Sequence, residues 1–377
     1  MPWLTLLSAA TIIGITKCFF SRIWAKQPQN ASSMKKKLSP RDRLWVFADP
    51  SLKELIISCE LQLAQPITVE NLRQLVQERL INNFERFSWI ISSAGYTSRA
   101  NNLDLTQHVT ANEQIVIEPQ RPLWQFNLVG NTKIEIGVHH ALADGLSLVA
   151  ILRKLTEEKP GVISRTKNRN KPSWSMVLRT IQGVFKALFT ILFSPNVKMT
   201  NLGTSKNYSA TSWVRPDRLT NRTDFETILE NLILDPALEI KENSIIAVPI
   251  SISSLTNRIN NGLGNKFALS PLPKKSQISI VDEFRTMKKQ GEVLGAYFIS
   301  VFIGLMPTYL GRYLSKFVSS HIFGIVSGVQ VSRSVLKLLG AEIKQIKAWA
   351  PILGGQKFSI TSVHYAGKVT LNQVIRS

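Results

Sequence analysis

A chain of 377 residues is long enough for one large or two medium domains with a sizeable core. Its 46 Lys and Arg against 25 Asp and Glu give a net charge of +21, yet no zinc-finger spacing, RNA-binding signature or basic region with heptads accompanies that excess. Nucleic acid is therefore set aside as a partner in favour of an anionic membrane surface, because many of the basic residues flank apolar segments. Five histidines and two separated cysteines, Cys18 and Cys59, form no disulfide framework and no evident metal site, and they fit a reducing compartment.

Residues Pro2 to Thr16 carry no charge, and apolar character resumes after Lys17 through Cys18, Phe19, Phe20, Ile23 and Trp24. A run of about 20 residues approaches the length that spans a bilayer. With no basic n-region and no cleavage site, it reads as a retained membrane anchor over residues 1–26. Lys17, Arg22, Lys26, Lys35, Lys36, Lys37, Arg41 and Arg43 follow it, so the positive-inside rule puts the body in the cytosol. The expected localisation is a membrane, the endoplasmic reticulum, with the body facing the cytosol. A hydrophobic helix lying on the membrane or docked to the body is the other reading of this stretch.

Leu38-Ser39-Pro40-Arg41-Asp42 leads to a strand-like Leu55 to Leu63. A helix is expected from Val69 to Ile81, with Val69, Leu72, Val76 and Leu80 on one face and Thr68 as N-cap. Nothing catalytic stands out here, so the region reads as scaffold, and His108 in Leu105-x-x-His108-Val109 reads as structural. Arg121-Pro122-Leu123-Trp124 comes just before the next strand. Pro122, Leu123 and Trp124 either line a channel or pack the core.

The most informative stretch is Lys133 to Gly145. Ile134, Ile136 and Val138 fall every second residue, which is strand spacing, and from Leu146 the pattern becomes helical. Between them stand His139, His140, Asp144 and Gly145. Adjacent strand residues point to opposite faces, so one histidine faces a reaction and the other packs behind it. Asp144 sits where the chain turns and fixes that turn by a salt bridge or backbone hydrogen bonds. Gly145 is expected to take a backbone conformation that a side chain would obstruct.

A basic linker (Arg165, Lys167, Arg169, Lys171) and Pro172 precede Trp174 to Phe193, which is apolar except for Arg179, Gln182 and Lys186. Those three share one side of a helix, suiting either a membrane interface or a core helix with one wet face. Residues 196–243 are polar and weakly periodic. Ile245 to Ile252 reads as a strand, followed by Gly264-Asn265, where Asn265 either bridges two halves of the molecule or sits in a turn. Val293 to Gly311 is uncharged, and Pro307 with three glycines argues for a helix against lipid or over a tunnel. Ile325-Val326-Ser327 opens a closing set of strands: Ala341 to Trp349, Lys357 to Tyr365 and Lys368 to Val374.

His139-His140-x-x-x-Asp144-Gly145 resembles the active-site motif of the CoA-dependent acyltransferase superfamily. With Ser39-Pro40-x-Asp42, Pro122-Leu123-Trp124, Gly264-Asn265 and the C-terminal Ser362-Val363-His364-Tyr365-Ala366-Gly367-Lys368, the chain looks most like the wax ester synthase/diacylglycerol acyltransferase (WS/DGAT) family. The resemblance implies an α/β (α+β) fold of two chloramphenicol-acetyltransferase-like lobes with a tunnel between them, here with the N-terminal anchor helix. The domains would be the anchor at 1–26, an N-terminal lobe at 27–160, a linker and amphipathic membrane-associated helix at 161–195, and a shortened C-terminal lobe at 196–377. It also implies transfer of a fatty acyl group from acyl-CoA to a long-chain alcohol or diacylglycerol at a lipid membrane, with His140 as general base. Beside it would stand His139 and Asp144, and on the substrate side Gly145, Pro122, Leu123, Trp124, Asn265 and Ser327. Acyl-CoA would be a co-substrate, with no cofactor and no metal. The chain departs from the family pattern in three places: no Thr-x-Asn-Asp helix between Asn196 and Ile245, Gly328-Val329-Gln330-Val331 where Asn and Pro-Gly-Pro are expected after Ser327, and no closing helix before Ser377. These departures favour the alternative of a non-catalytic relative that binds acyl-CoA or lipid.

Overall fold

The computed structural model describes residues 36–100, 102–156, 174–195, 197, 208–216, 223–233, 235, 238–252, 263–275, 278–289 and 291–376. In chain order its strands are β1 (Lys36–Lys37), β2 (Ile56–Leu63), β3 (Trp89–Ile91), β4 (Tyr96–Arg99), β5 (Val109–Ala111), β6 (Trp124–Val129), β7 (Lys133–His139), β8 (Tyr208–Pro216), β9 (Ile245–Ser251), β10 (Phe267–Pro273), β11 (Ile322–Ser332), β12 (Lys337–Leu338), β13 (Ala341–Trp349), β14 (Phe358–Tyr365) and β15 (Lys368–Arg376). The helices are α1 (Pro40–Ala48), α2 (Val69–Val76), α3 (Leu105–His108), α4 (Gly145–Leu155), α5 (Trp174–Phe193), α6 (Thr223–Ile233), α7 (Ile280–Lys289), α8 (Glu292–Leu305) and α9 (Thr308–Ser320).

Two six-stranded mixed sheets organise the molecule, one in the order β12-β13-β2-β7-β6-β5 and the other β10-β9-β11-β14-β15-β8. In β7, Ile134, Ile136 and Val138 enter the first core while Lys133 and Glu135 remain partly exposed, the alternation that a half-buried strand requires. Its antiparallel register against β2 pairs Ile56 with His139 and Cys59 with Ile136. The second sheet joins β11 to both β9 and β14 in parallel. Strand β13 lies late in the chain but pairs with β2, Ala348 opposite Cys59. The closing strands are thus split, and one of them completes the first sheet.

The helices follow local rules. Thr68 caps α2 by accepting from Asn71 N–H at 3.2 Å, and one π-type turn at Gln77–Ile81 continues that helix. Ser39 accepts from the Asp42 N–H at 3.3 Å, and Pro40 opens α1 at a position that needs no donor. The uncharged stretch 293–311 is two helices, α8 and α9, that break at Met306–Pro307. Helix α8 crosses α1 where Gly304 lies against the Pro40 backbone, and it crosses α5 where Gly183 and Gly295 meet backbone to backbone. A Cβ at any of these glycines would collide with main chain.

The anchor expected over residues 1–26 lies outside the described residues, and among the described residues no helix is long and apolar enough to cross a membrane. The structure therefore gives the anchor helix no support. Helix α5 buries a narrow stripe of Thr180, Gly183, Ala187 and Ile191 and turns larger apolar side chains outward: Phe185, Phe189 and Phe193 are 63%, 62% and 72% exposed.

Candidate active site

The strand–turn–helix from β7 to α4 sets the site. His139 is fully buried: its Nδ1 accepts from the Ala141 N–H at 3.0 Å, and its Nε2 lies 3.2 Å from Asp49 Oδ2. Burial alone would raise the Asp49 carboxyl, but His139, Ser51 and the N–H groups of Glu54 and Leu55 hold it below the usual range. This pair sits behind the turn and touches nothing in the cavity. Asp144 is the N-cap of α4, accepting from the Ser147 N–H at 2.7 Å, while its other oxygen accepts from the Lys266 N–H at 2.7 Å. It is buried, and that burial raises its carboxyl above the usual range.

His140 is poised differently. Its imidazole stacks on the Trp45 indole with ring centres 3.8 Å apart and an interplanar angle of 11°, and Phe267 lies 5.6 Å away. Nδ1 is 3.0 Å from Asn265 Oδ1. The Asn265 Nδ2 donates to Asp42 Oδ1 and to the His140 carbonyl, both at 2.8 Å. Because a carboxylate only accepts, that pair fixes the amide orientation, so Oδ1 faces the imidazole and Nδ1 must carry the proton. Nε2 is left with the lone pair. Burial pushes the imidazole down to about 4, partly offset by the Asn265 hydrogen bond, so at neutral pH His140 is an unprotonated base.

Asp42 is buried against Arg86 at 2.8 Å. Burial would raise its carboxyl, but Arg86, Ser39 and Asn265 together keep it below the usual range. Arg86 also donates to the carbonyls of Leu263 at 2.8 Å and Ala141 at 3.3 Å. The loop it holds passes through Gly264 at φ +136°, where a Cβ would run into the Arg86 guanidinium. The reading of residues 38–81 as scaffold is thereby corrected: Trp45 stacks on the His140 imidazole and Asp42 orders its Asn265 partner. The signal was Ser39-Pro40-Arg41-Asp42 itself, a helix cap carrying a carboxylate that the sequence does not show to be buried.

A cavity of ≈ 160 Å³ opens beside His140. Its floor is a row across three strands, Ala348, Cys59 and Ile136, and Asp144, Gly145 and Ser327 also line it. Ser327 donates to Thr361 Oγ1 at 3.1 Å. Cys59 is a free cysteine whose thiol burial pushes up to about 12, which leaves it neutral and no nucleophile. Three of the sequence readings can be placed. Pro122, Leu123 and Trp124 do not line this cavity; Leu123 and Trp124 are core residues, the indole donating to the Phe87 carbonyl at 2.7 Å and stacking on His108. Gly145 has no left-handed backbone, and a Cβ there would make only an ordinary 3.7 Å contact with Val329. The Asn265 side chain is committed to Asp42 and to the His140 imidazole and carbonyl, which is the bridge rather than the plain turn among the two readings of this residue. Among the described residues no group of three His, Cys, Asp or Glu could hold a metal ion.

Residues 248–376 match the family model of the WS/DGAT C-terminal domain. That stretch is similar to the C-terminal domain of the wax ester synthase/diacylglycerol acyltransferases. A comparison with curated proteins finds no significant match. Among solved structures, the chain is similar to the wax ester synthase/diacylglycerol acyltransferase from Marinobacter aquaeolei VT8, at 14% identity over 90% of this chain and 93% of that one, with a TM-score of 0.53. It is also similar to the starter condensation domain of rhizomide synthetase, solved in complex with C8-CoA (11% identity, 91% of this chain and 90% of that one, TM-score 0.56). The nonribosomal peptide synthetase FmoA3 shares the same fold over 94% of this chain and 41% of its own, at 13% identity and a TM-score of 0.54. These likenesses establish a shared mixed α/β fold. The WS/DGAT domain supplies Asn265, Phe267 and Ser327 to the site, whereas His140 and Asp144 precede it.

Proposed function

We propose that the protein transfers a fatty acyl group from acyl-CoA to the hydroxyl of a long-chain alcohol or a diacylglycerol, with His140 as general base. The observation that carries this reading is the Asp42–Asn265–His140 chain of hydrogen bonds, which supports a neutral imidazole with its Nε2 lone pair available. In this mechanism Nε2 takes the hydroxyl proton as the oxygen attacks the thioester carbonyl. The tetrahedral intermediate then collapses, the carbon–sulfur bond breaks, and the imidazolium returns the proton to the CoA thiolate. Ester and free CoA leave, no covalent enzyme intermediate forms, and atoms and protons balance. A low imidazole pKa suits the second half, because the proton is given up readily. Asp42, felt through Asn265, stabilises the imidazolium while it exists.

The reaction is proposed to occur at a membrane, the endoplasmic reticulum with the body facing the cytosol. The outward phenylalanines of α5 and the net charge of +21 support attachment to an anionic lipid surface. The second reading, a non-catalytic binder of acyl-CoA or lipid, is favoured by Gly328-Val329-Gln330-Val331, which brings Val329 to the cavity wall in place of the family's pattern.

The test is incorporation of labelled acyl-CoA into neutral lipid by wild type and His140→Ala, with alcohol and diacylglycerol offered separately. Product from the wild type that disappears with the substitution supports the enzyme. A folded, acyl-CoA-binding wild type that makes no product with either acceptor sinks it in favour of the binder.

A further inference from the structure

A second apolar cavity, of ≈ 80 Å³, lies between α1, α5, α8 and α9. The paired strands β9 and β10 relate it to the first. Pro249 stands opposite Leu269, Ser251 opposite Phe267 and Ala247 opposite Pro271. Residues two apart on a strand share a face, so Phe267, Leu269 and Pro271 form one row and Ser251, Pro249 and Ala247 the row beside it. Phe267, Pro249 and Ser251 line the cavity at His140, while Leu269, Pro271 and Ala247 line the second one. The two are therefore consecutive compartments on one face of the hairpin, offset by about 7 Å for each step of two residues. Trp45 stands at their boundary: it lines the second compartment, and its indole is stacked on the imidazole of the first.

We propose that the second compartment holds the hydrocarbon chain of the hydroxyl acceptor, whose polar end reaches His140 when the Trp45 indole swings aside. This deepens the acyl-transfer reading and rests on it for the chemistry. Two substrates must meet at one base, and the compartment containing His140 also carries the polar Asp144, Ser251 and Thr361, which suit the thioester. The second is walled mainly by apolar side chains, Ala187, Ile191, Ala296, Ile299 and Ile303 among them, with Ser300, Ser315 and Ser319 and no ionisable group, which suits an alkyl chain. Two of those walls, Ala187 and Ile191, belong to α5, whose opposite face presents Phe185, Phe189 and Phe193 to the outside. On α8 and α9, Phe302, Tyr309 and Tyr313 are likewise exposed. A lipid-dissolved acceptor arriving from a bilayer under these side chains enters this compartment without crossing water, whereas acyl-CoA, with its polar carrier, comes to the other.

The test uses the full chain with Ser300→Phe, which fills the second compartment from its partly exposed wall, and Ser319→Phe as an independent filler. Each methylene displaced from an apolar site weakens binding about fourfold. Displacing two or three should therefore raise KM for hexadecanol on the order of tens of fold, leaving KM for acyl-CoA within about twofold of wild type. A diazirine-bearing hexadecanol, photolysed and mapped by mass spectrometry, gives a readout that needs no turnover. Labels on α8 and α9 that both fillers abolish support the proposal. Labels that fall instead on Ile346, Leu148 or Val149 overturn it, as does a filler effect confined to acyl-CoA. Labels in the second compartment without turnover by the wild type keep the proposal and overturn the enzymatic reading.

Discussion

Replacing Asn265 with alanine separates the positioning of the base from the base itself. The substitution removes the Oδ1 acceptor 3.0 Å from His140 Nδ1 and the Nδ2 donor to Asp42 and the His140 carbonyl. It leaves the main-chain N–H of residue 265 donating to Asp42 at 3.2 Å, and leaves Arg86 in place. Stranding a buried polar group costs about 1–3 kcal/mol. Asp42 retains its ion pair, so the expected stability loss is about 3 kcal/mol, not the full sum of three bonds. With its Nδ1–H partner gone the imidazole loses its fixed tautomer, and kcat is expected to fall on the order of 10- to 100-fold, one hydrogen bond's worth. KM for acyl-CoA should hold, because the Asn265 side chain is committed to Asp42 and His140. The assay is release of CoA thiol under saturating acceptor, with nitrogen NMR of the His140 ring as a second readout: a single Nδ1–H form in the wild type and a mixture in the variant. A folded variant with kcat within about threefold of wild type and an unchanged tautomer would refute the argument that Asn265 holds the base.

Acidity tests the same imidazole. Burial lowers it to about 4, so kcat/KM should be flat near neutrality and fall only as pH drops through about 4; a limb near the ordinary histidine value of about 6.5 would contradict the burial. The linked stability has the same sign. The folded state binds fewer protons than the unfolded between about 6.5 and 4, so stability falls as pH is lowered across that window and then levels off, measurable by denaturant titration. His139→Ala should lower stability by about 1–3 kcal/mol through loss of one of the hydrogen bonds to buried Asp49, which keeps those from Ser51, Glu54 and Leu55, while the folded fraction retains far more activity than His140→Ala; equal loss of kcat in both would refute the division of roles. Replacing Phe185, Phe189 and Phe193 together with serine should abolish binding to anionic vesicles in a flotation assay with little change in Tm, because these rings lie outside the core.

The sequence made some of this site legible and concealed the rest for identifiable reasons. The period change at Leu146, from two to 3.6, marks β7 and α4 because the same turn must deliver His140 and cap a helix. The dipeptide Gly264-Asn265 pointed to a bridge but not to its partner, since Asp42 lies 223 residues earlier and nothing in a one-dimensional pattern pairs them. Trp45 reads as one more apolar residue on a short helix. Strand β8, within the weakly periodic stretch, pairs among the described residues with β15 at a sheet edge, a partnership that lies more than 150 residues along the chain and that no local pattern announces. Pro122-Leu123-Trp124 precedes the catalytic strand in sequence but packs against Phe87 and His108. Proximity along the chain did not decide between the two readings of that tripeptide, and the packing does.

His140 lies before the stretch that matches the WS/DGAT C-terminal domain, and the partner that orients its imidazole, Asn265, lies within it. Lys266 N–H caps against Asp144, Gly264 exchanges hydrogen bonds of 3.0 and 3.1 Å with Ser147, Leu263 O receives Arg86, and Asn265 closes the set on His140. Four consecutive residues of one loop are thus matched to groups that the first sheet holds rigid. Such a seam has a physical consequence. Asp42 is buried on Arg86 and on the main-chain N–H and side-chain amide of Asn265, so departure of the whole loop would strip away two of its partners and weaken the burial of that charge. The same contacts that orient the His140 imidazole therefore tie residues 263–266 to the β7–α4 turn, and a change in the matched stretch that spares those four residues should leave that orientation intact even where its other motifs differ.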